Sequence, residues 1–121
     1  MPRKESILRL KSDLFADRIV KLYRYVYNQQ ESVMSKQIYR SGTSIGANIA
    51  ESTNAQSEAD FITKLSIALK EANETEYWLD LLHETEYLDD KQYESLEADC
   101  RELVALLVTI IKKLKENPEK K

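Results

Sequence analysis

The amino-acid sequence predicts an all-α single domain, an antiparallel up-and-down four-helix bundle. Three observations predict it. Apolar residues recur three and four apart in four separate seams, the spacing that lines one face of a helix. Only 2 Gly and 2 Pro occur among 121 residues, too few turn formers for a sheet of many short strands. The stretches between seams are short and polar, so consecutive helices must run antiparallel.

The first helix is expected over about 5–28, where Leu8, Ser12, Phe15, Ile19, Leu22 and Val26 step by 4, 3, 4, 3, 4. The second, about 32–53, carries Ile38, Gly42, Ile45, Ile49 and Ser52. The third, about 57–85, carries Phe61, Leu65, Ala68, Ala72, Thr75, Leu79 and Leu82. The fourth, about 89–116, is the most regular, with Tyr93, Leu96, Cys100, Leu103, Leu107, Ile110 and Leu114. An average spacing of about 3.5 is the signature of left-handed bundle packing. Ser57 with Asp60, and Asp89 with Gln92, have the spacing of capping boxes, in which two side chains satisfy orphan backbone N–H groups reciprocally. Pro118 stops the last helix, and Lys112, Lys113 and Lys115 suit its negative C-terminal end.

The fourth helix is apolar on more than one face. Beside its seam residue Leu107 stand Val104, Leu106, Val108 and Ile111, a width that marks an oligomer interface unless this helix sits centrally in its own bundle. Self-association is the expectation.

Both glycines fall in the second helix, four residues apart, and Ala50 extends their line. Glycine inside a helix costs about 1 kcal/mol against alanine, so Gly42, Gly46 and Ala50 point to close approach by a neighbouring helix. A turn at residues 41–44 is the other reading. Beside them runs a polar line of Gln37, Ser41, Ser44, Asn48 and Glu51, with Arg40 adjacent. In an antiparallel hairpin of helices two and three, Asn48 falls near Ser66, Ser44 near Lys70 and Arg40 near Glu74. A satisfied polar network fixing the register, with Arg40–Glu74 as an interhelical ion pair, is expected.

The run Gln37-x-x-Arg40-Ser41-Gly42-Thr43-Ser44-Ile45-Gly46-Ala47-Asn48-Ile49-Ala50-Glu51 resembles the hallmark of the bacterial four helix bundle protein family. So do the run from Asp60 to Thr75 and Tyr77-Trp78-Leu79. The family is also known as the 23S ribosomal RNA intervening-sequence proteins, because some members are encoded inside insertions of large-subunit rRNA genes. The resemblance spans about residues 10–116. It implies an up-and-down bundle assembled as a ring-like homopentamer, with no enzymatic activity established. A related branch, the accessory proteins of diversity-generating retroelements, binds nucleic acid and assists a reverse transcriptase.

The net charge of −3 hides a polarised chain. Residues 1–50 hold nine basic and four acidic side chains, whereas residues 71–102 hold two basic and twelve acidic ones. Affinity for nucleic acid comes mostly from cations meeting phosphates. The candidates are Arg18, Lys21 and Arg24 with Tyr25 on helix one, and Lys112, Lys113, Lys115, Lys120 and Lys121 at the end. An isoelectric point near 5.3 weighs against this use. The expected partners are therefore the chain itself, and RNA, DNA or a nucleoprotein, or alternatively a protein alone.

No catalytic or metal site is expected. His83 is the single histidine, so Asp80-x-x-His83 supplies only half of a di-iron bundle motif. Cys100 lies in an apolar seam and reads as packing. No cofactor or small-molecule substrate is indicated. The longest apolar run, residues 103–108, is far short of the ~20 residues that span a bilayer. With one cysteine and no signal-peptide pattern, the expected location is the cytoplasm.

Overall fold

A computed structural model describes residues 4–116, and each seam forms one helix. They are α1 (Lys4–Tyr27), α2 (Val33–Ser52), α3 (Glu58–Glu84) and α4 (Asp90–Glu116). Among the described residues there is no strand. A 27-residue helix such as α3 or α4 is about 40 Å long, so the bundle is a short rod.

The helix starts are set by local hydrogen bonds. Asp89 and Gln92 form a reciprocal box before α4: the Gln92 N–H donates to Asp89 Oδ1 at 2.8 Å, and the Asp89 N–H to Gln92 Oε1 at 2.9 Å. Ser57 Oγ accepts the Asp60 N–H at 3.0 Å, but the Asp60 carboxylate reaches past the cap to the Gln56 N–H. At α2 the capping residue Ser32 makes no side-chain cap bond, and the work falls to Glu31, whose carboxylate accepts the N–H groups of Val33 and Met34. Two of the reversals turn on residues in the left-handed region, Gln30 (φ 72°) and Glu86 (φ 71°). Neither is glycine, which leaves both glycines for packing.

Each helix packs closely on two neighbours around the bundle, α1 with α2, α2 with α3, α3 with α4 and α4 with α1, while the backbones of the diagonal pairs stay apart across the shared core. Cross-helix pairs confirm antiparallel packing all round, such as Arg18–Asp99 and Lys11–Glu102 between α1 and α4. The core is made by the four seams. Phe15, Ile19, Ile38, Ile45, Leu65, Leu79, Leu103 and Leu107 are buried, each contributing about 1.5–3 kcal/mol of transfer free energy. Three polar seam positions are buried as well. Ser12 Oγ donates to the Arg9 carbonyl at 3.0 Å and Ser52 Oγ to that of Ile49 at 2.6 Å. Thr75 pairs across to Ser41.

Candidate functional site

The polar side of α2 lies against α3. Arg40 bridges two carboxylates there: its Nη2 meets Glu74, and its Nη1 meets Glu71 Oε1 at 3.2 Å. Glu74 also accepts the Trp78 indole N–H at 3.1 Å. That bond first, and Arg40 second, hold the Glu74 carboxyl below the ordinary range. About three turns further along α2, Lys64 Nζ meets Glu51 Oε1 at 2.8 Å, a pair the spacing did not predict. Between these ion pairs the expected cross-helix bonds of Ser44 and Asn48 are not made. Ser44 Oγ donates to the Arg40 carbonyl at 2.7 Å, and Asn48 Nδ2 to the Ser44 carbonyl at 2.9 Å. Ser and Asn side chains inside a helix have their own i−4 carbonyl within reach, and that local partner wins over a distant one. Gln37 and Ser66 are half-buried, and their side chains make no hydrogen bond among the described residues. The buried cross-link is instead Ser41–Thr75, whose hydroxyls lie 2.9 Å apart.

The glycine line faces α1, and residues 41–44 continue the helix without a turn. A Cβ on Gly46 would lie 3.5 Å from the Ser12 carbonyl oxygen, while one on Gly42 would collide with Ile19. Ala50 is half-buried on the same line.

On α4, Leu107 and Ile111 are buried in the chain's own core and so cannot present themselves to a partner. The helix is apolar over a wide arc because α3 and α1 flank it. Val104 and Leu106 are half-buried, and Val108 alone of the five is open, at 45% exposure. More apolar surface is exposed on α1, where Leu10 stands 60% and Leu14 56% exposed. Their four-residue spacing on the face away from the seam was the available sequence signal.

The basic candidates do not form one patch. Arg18 is committed to α4, with Nη1 2.7 Å from Asp99 Oδ2 and Nη2 3.0 Å from Ser95 Oγ. Lys21, Arg24 and Tyr25 are exposed, and Lys21 and Tyr25 edge a groove of about 310 Å³ between α1 and the start of α4. Lys112, Lys113 and Lys115 are exposed on the last turns of α4, at the opposite end of the rod. Lys120, Lys121 and Pro118 lie outside the described residues. A tyrosine cluster completes the α1–α2 side, with the ring of Tyr23 4.8 Å from that of Tyr39 and 5.7 Å from that of Tyr27.

The α3–α4 face concentrates the acidic charge. Glu97 is buried, with Oε2 2.7 Å from Arg101 Nε, and Arg101 also meets Glu76 Oε2 at 3.2 Å. Glu97 Oε1 has no hydrogen-bond partner among the described residues. Burial first, then hydrogen bonding with Glu76, push the Glu97 carboxyl up to about 7 against the pull of Arg101. Tyr93 donates to Asp80 Oδ1 at 2.6 Å, which, with burial, raises its hydroxyl to about 12. His83 is half-buried, stacked on the Tyr93 ring at 4.2 Å with Nε2 2.7 Å from Asp90 Oδ1. Burial raises the Cys100 thiol to about 12. Among the described residues no three His, Cys, Asp or Glu side chains are grouped to hold a metal ion. No helix among them is long and apolar enough to cross a membrane.

Residues 4–109 match the family model of the 23S rRNA-intervening sequence protein. The chain is also similar to a crystal structure of a protein with unknown function from the S23 ribosomal protein family of Bacteroides thetaiotaomicron. The two are 61% identical with a TM-score of 0.89, over 91% of this chain and 99% of the other. Among curated proteins none matches. A family model covering nearly the whole bundle, and a relative that shares both sequence and fold, place this chain in the 23S rRNA-intervening sequence protein family.

Proposed function

We propose that this protein is a non-catalytic subunit of a homo-oligomeric ring, a pentamer, that serves as a cytoplasmic scaffold or adaptor. The observation that carries the reading is the apolar surface left open on a single chain: Leu10, Leu14 and Val108 all point to solvent. Leu10 and Leu14 stand one turn apart on α1 and Val108 stands on α4, and exposed aliphatic side chains of this kind mark surfaces that meet another chain. A ring repeats one weak partner site on every subunit, and multivalency then raises total affinity without any new contact. Light scattering on the purified protein tests it. Five times the 14.1 kDa chain mass is expected, and a stable monomer at micromolar concentration would contradict it.

A nucleic-acid or nucleoprotein partner is favoured by one further observation. Tyr27 and Tyr39 expose their rings, clustered with Tyr23 and flanked in sequence by Arg24 and Lys36. Exposed aromatic rings among cations are what unpaired bases stack on. The names of both relatives refer to ribosomal components. An electrophoretic shift with ribosomal RNA at low and physiological salt tests this partner, and no shift at either salt removes it. A partner recovered from the host that survives nuclease treatment would instead make the protein a protein-only adaptor.

A further inference from the structure

Two stripes, one unpaired on α1 and one partly engaged on α4, run along opposite edges of the α1–α4 half of the bundle. On α1, Leu10, Leu14, Asp17, Lys21 and Arg24 step by 4, 3, 4, 3 and are all exposed. None of the three charged members has an ion-pair partner among the described residues. On α4, Glu94, Glu97, Arg101, Val104 and Val108 step by 3, 4, 3, 4 on the side that meets α3. Glu94, Arg101 and Val108 are exposed, Val104 is half-buried, and Glu97 is buried beside Arg101, which also meets Glu76 of α3.

The two stripes are chemically complementary in one alignment. Along α1 the order is apolar, apolar, acid, base, base. Read from its C-terminal end, the α4 stripe is apolar, apolar, base, acid, acid. The distance from the apolar pair to the doubly charged pair is about 16 Å on either helix. Resting on the homo-oligomer reading, we infer that α1 of one copy docks antiparallel on the α4 stripe of the next copy. Leu10 then falls opposite Val108, Leu14 opposite Val104, Asp17 opposite Arg101, Lys21 opposite Glu97 and Arg24 opposite Glu94.

Other pairings of the same stripes fail. A parallel alignment sets Leu10 against Glu94 and Arg24 against Val108. Antiparallel α1 against α1 puts Leu10 opposite Arg24 and Asp17 opposite its own copy. Antiparallel α4 against α4 opposes Arg101 to Arg101. The contact is therefore heterologous, with each copy gripping one neighbour by α1 and another by α4, and such contacts generate rings when the rotation closes. This use of Lys21 and Arg24 leaves the tyrosine cluster and the lysines at the end of α4 free for a further partner.

Light scattering over a dilution series, with circular dichroism as the fold control, tests the docking. Leu10 and both members of the Arg24–Glu94 pair are exposed, so their substitution leaves the core intact. Leu10→Asp should raise the concentration at which the assembly dissociates by roughly tenfold or more. Arg24→Glu and Glu94→Arg should each weaken assembly several-fold, and the double variant R24E/E94R should recover it. A wild-type chain that is monomeric throughout overturns the oligomer reading itself. An oligomeric wild type that L10D and R24E leave unchanged overturns the docking alone, and failure of R24E/E94R to recover assembly overturns the register.

Discussion

A Cβ atom placed on Gly42 would lie 2.7 Å from Cγ1, 2.8 Å from Cδ1 and 2.9 Å from Cγ2 of Ile19. Three distances below 3.0 Å to one buried, β-branched side chain mean that Ile19 would have to shift to admit that Cβ, and its stiff χ1 makes the shift costly. The Ile19 side chain therefore occupies the space that any residue but glycine would claim, and α1 and α2 approach as closely as they do because of it.

Gly42→Ala should destabilise the chain, since overpacking of about 1–3 kcal/mol outweighs a helix-propensity gain of about 1 kcal/mol. Gly46→Ala should go the other way. Its Cβ would meet the Ser12 carbonyl oxygen at an ordinary 3.5 Å, leaving up to about 1 kcal/mol of propensity gain. Urea unfolding followed by the fluorescence of Trp78, the only tryptophan, measures both. Equal effects of the two substitutions would contradict this account.

Ser41 and Thr75 should behave as a coupled pair. Thr75→Val alone leaves the buried Ser41 hydroxyl without its partner, at a cost of about 1–2 kcal/mol, and a double-mutant cycle with Ser41→Ala should return a coupling of about 0.5–1.5 kcal/mol. Ser35 is the contrast, being buried with a hydroxyl that has no partner among the described residues. Ser35→Ala should be neutral or stabilising, because an unsatisfied buried hydroxyl is removed. A loss above about 1 kcal/mol there would mean that Ser35 is bonded after all.

Glu97 makes stability fall as pH rises. Its folded value of about 7 lies above the ordinary 4.5, so between those values the folded chain binds more protons than the unfolded one. Stability is then lost as pH climbs through that window, and the loss is complete above about 7. Glu97→Gln cannot ionise and should remove that part of the slope. From pH 4.5 to pH 8, E97Q should gain on the order of 2 kcal/mol relative to wild type. Parallel pH–stability curves for the two proteins would show that Glu97 is not the titrating group.

Cys100 should resist thiol reagents in the folded chain. It is buried against the Ala72 carbonyl, with Sγ 3.4 Å from that oxygen, and its thiol is raised to about 12. Reaction requires both exposure and thiolate, so labelling at pH 8 should run at the rate of unfolding and accelerate with urea. Labelling as fast as a free cysteine in native buffer would contradict the burial.

The seams from Leu8 to Val26 and from Tyr93 to Leu114 were legible because helical periodicity is a property of the local chain. A buried face must repeat at 3.5 residues wherever its partner comes from. Arg40–Glu74 was legible for a related reason: a short loop between two helices permits few registers. Glu71 and Lys64 were missed as partners of Arg40 and Glu51. A long cation reaches a turn in either direction, and spacing alone does not choose between the carboxylates it meets. Ser44 and Asn48 misled because a polar line at core spacing looks the same whether it bonds across helices or back along its own.

By itself the sequence determined four amphipathic helices, where they begin and end, and their antiparallel order, since burial periodicity, capping and short loops are all local. Only the tertiary structure decided which neighbour each face meets. It set Gly42 against Ile19 rather than against α3, turned Leu107 and Ile111 into the core, tied Arg18 to Asp99, and buried Glu97 beside Glu76. It also left Leu10 and Leu14 in water. Those outcomes depend on how four helices are rotated about their axes, and that rotation minimises exposed apolar area and unpaired charge over the whole bundle at once.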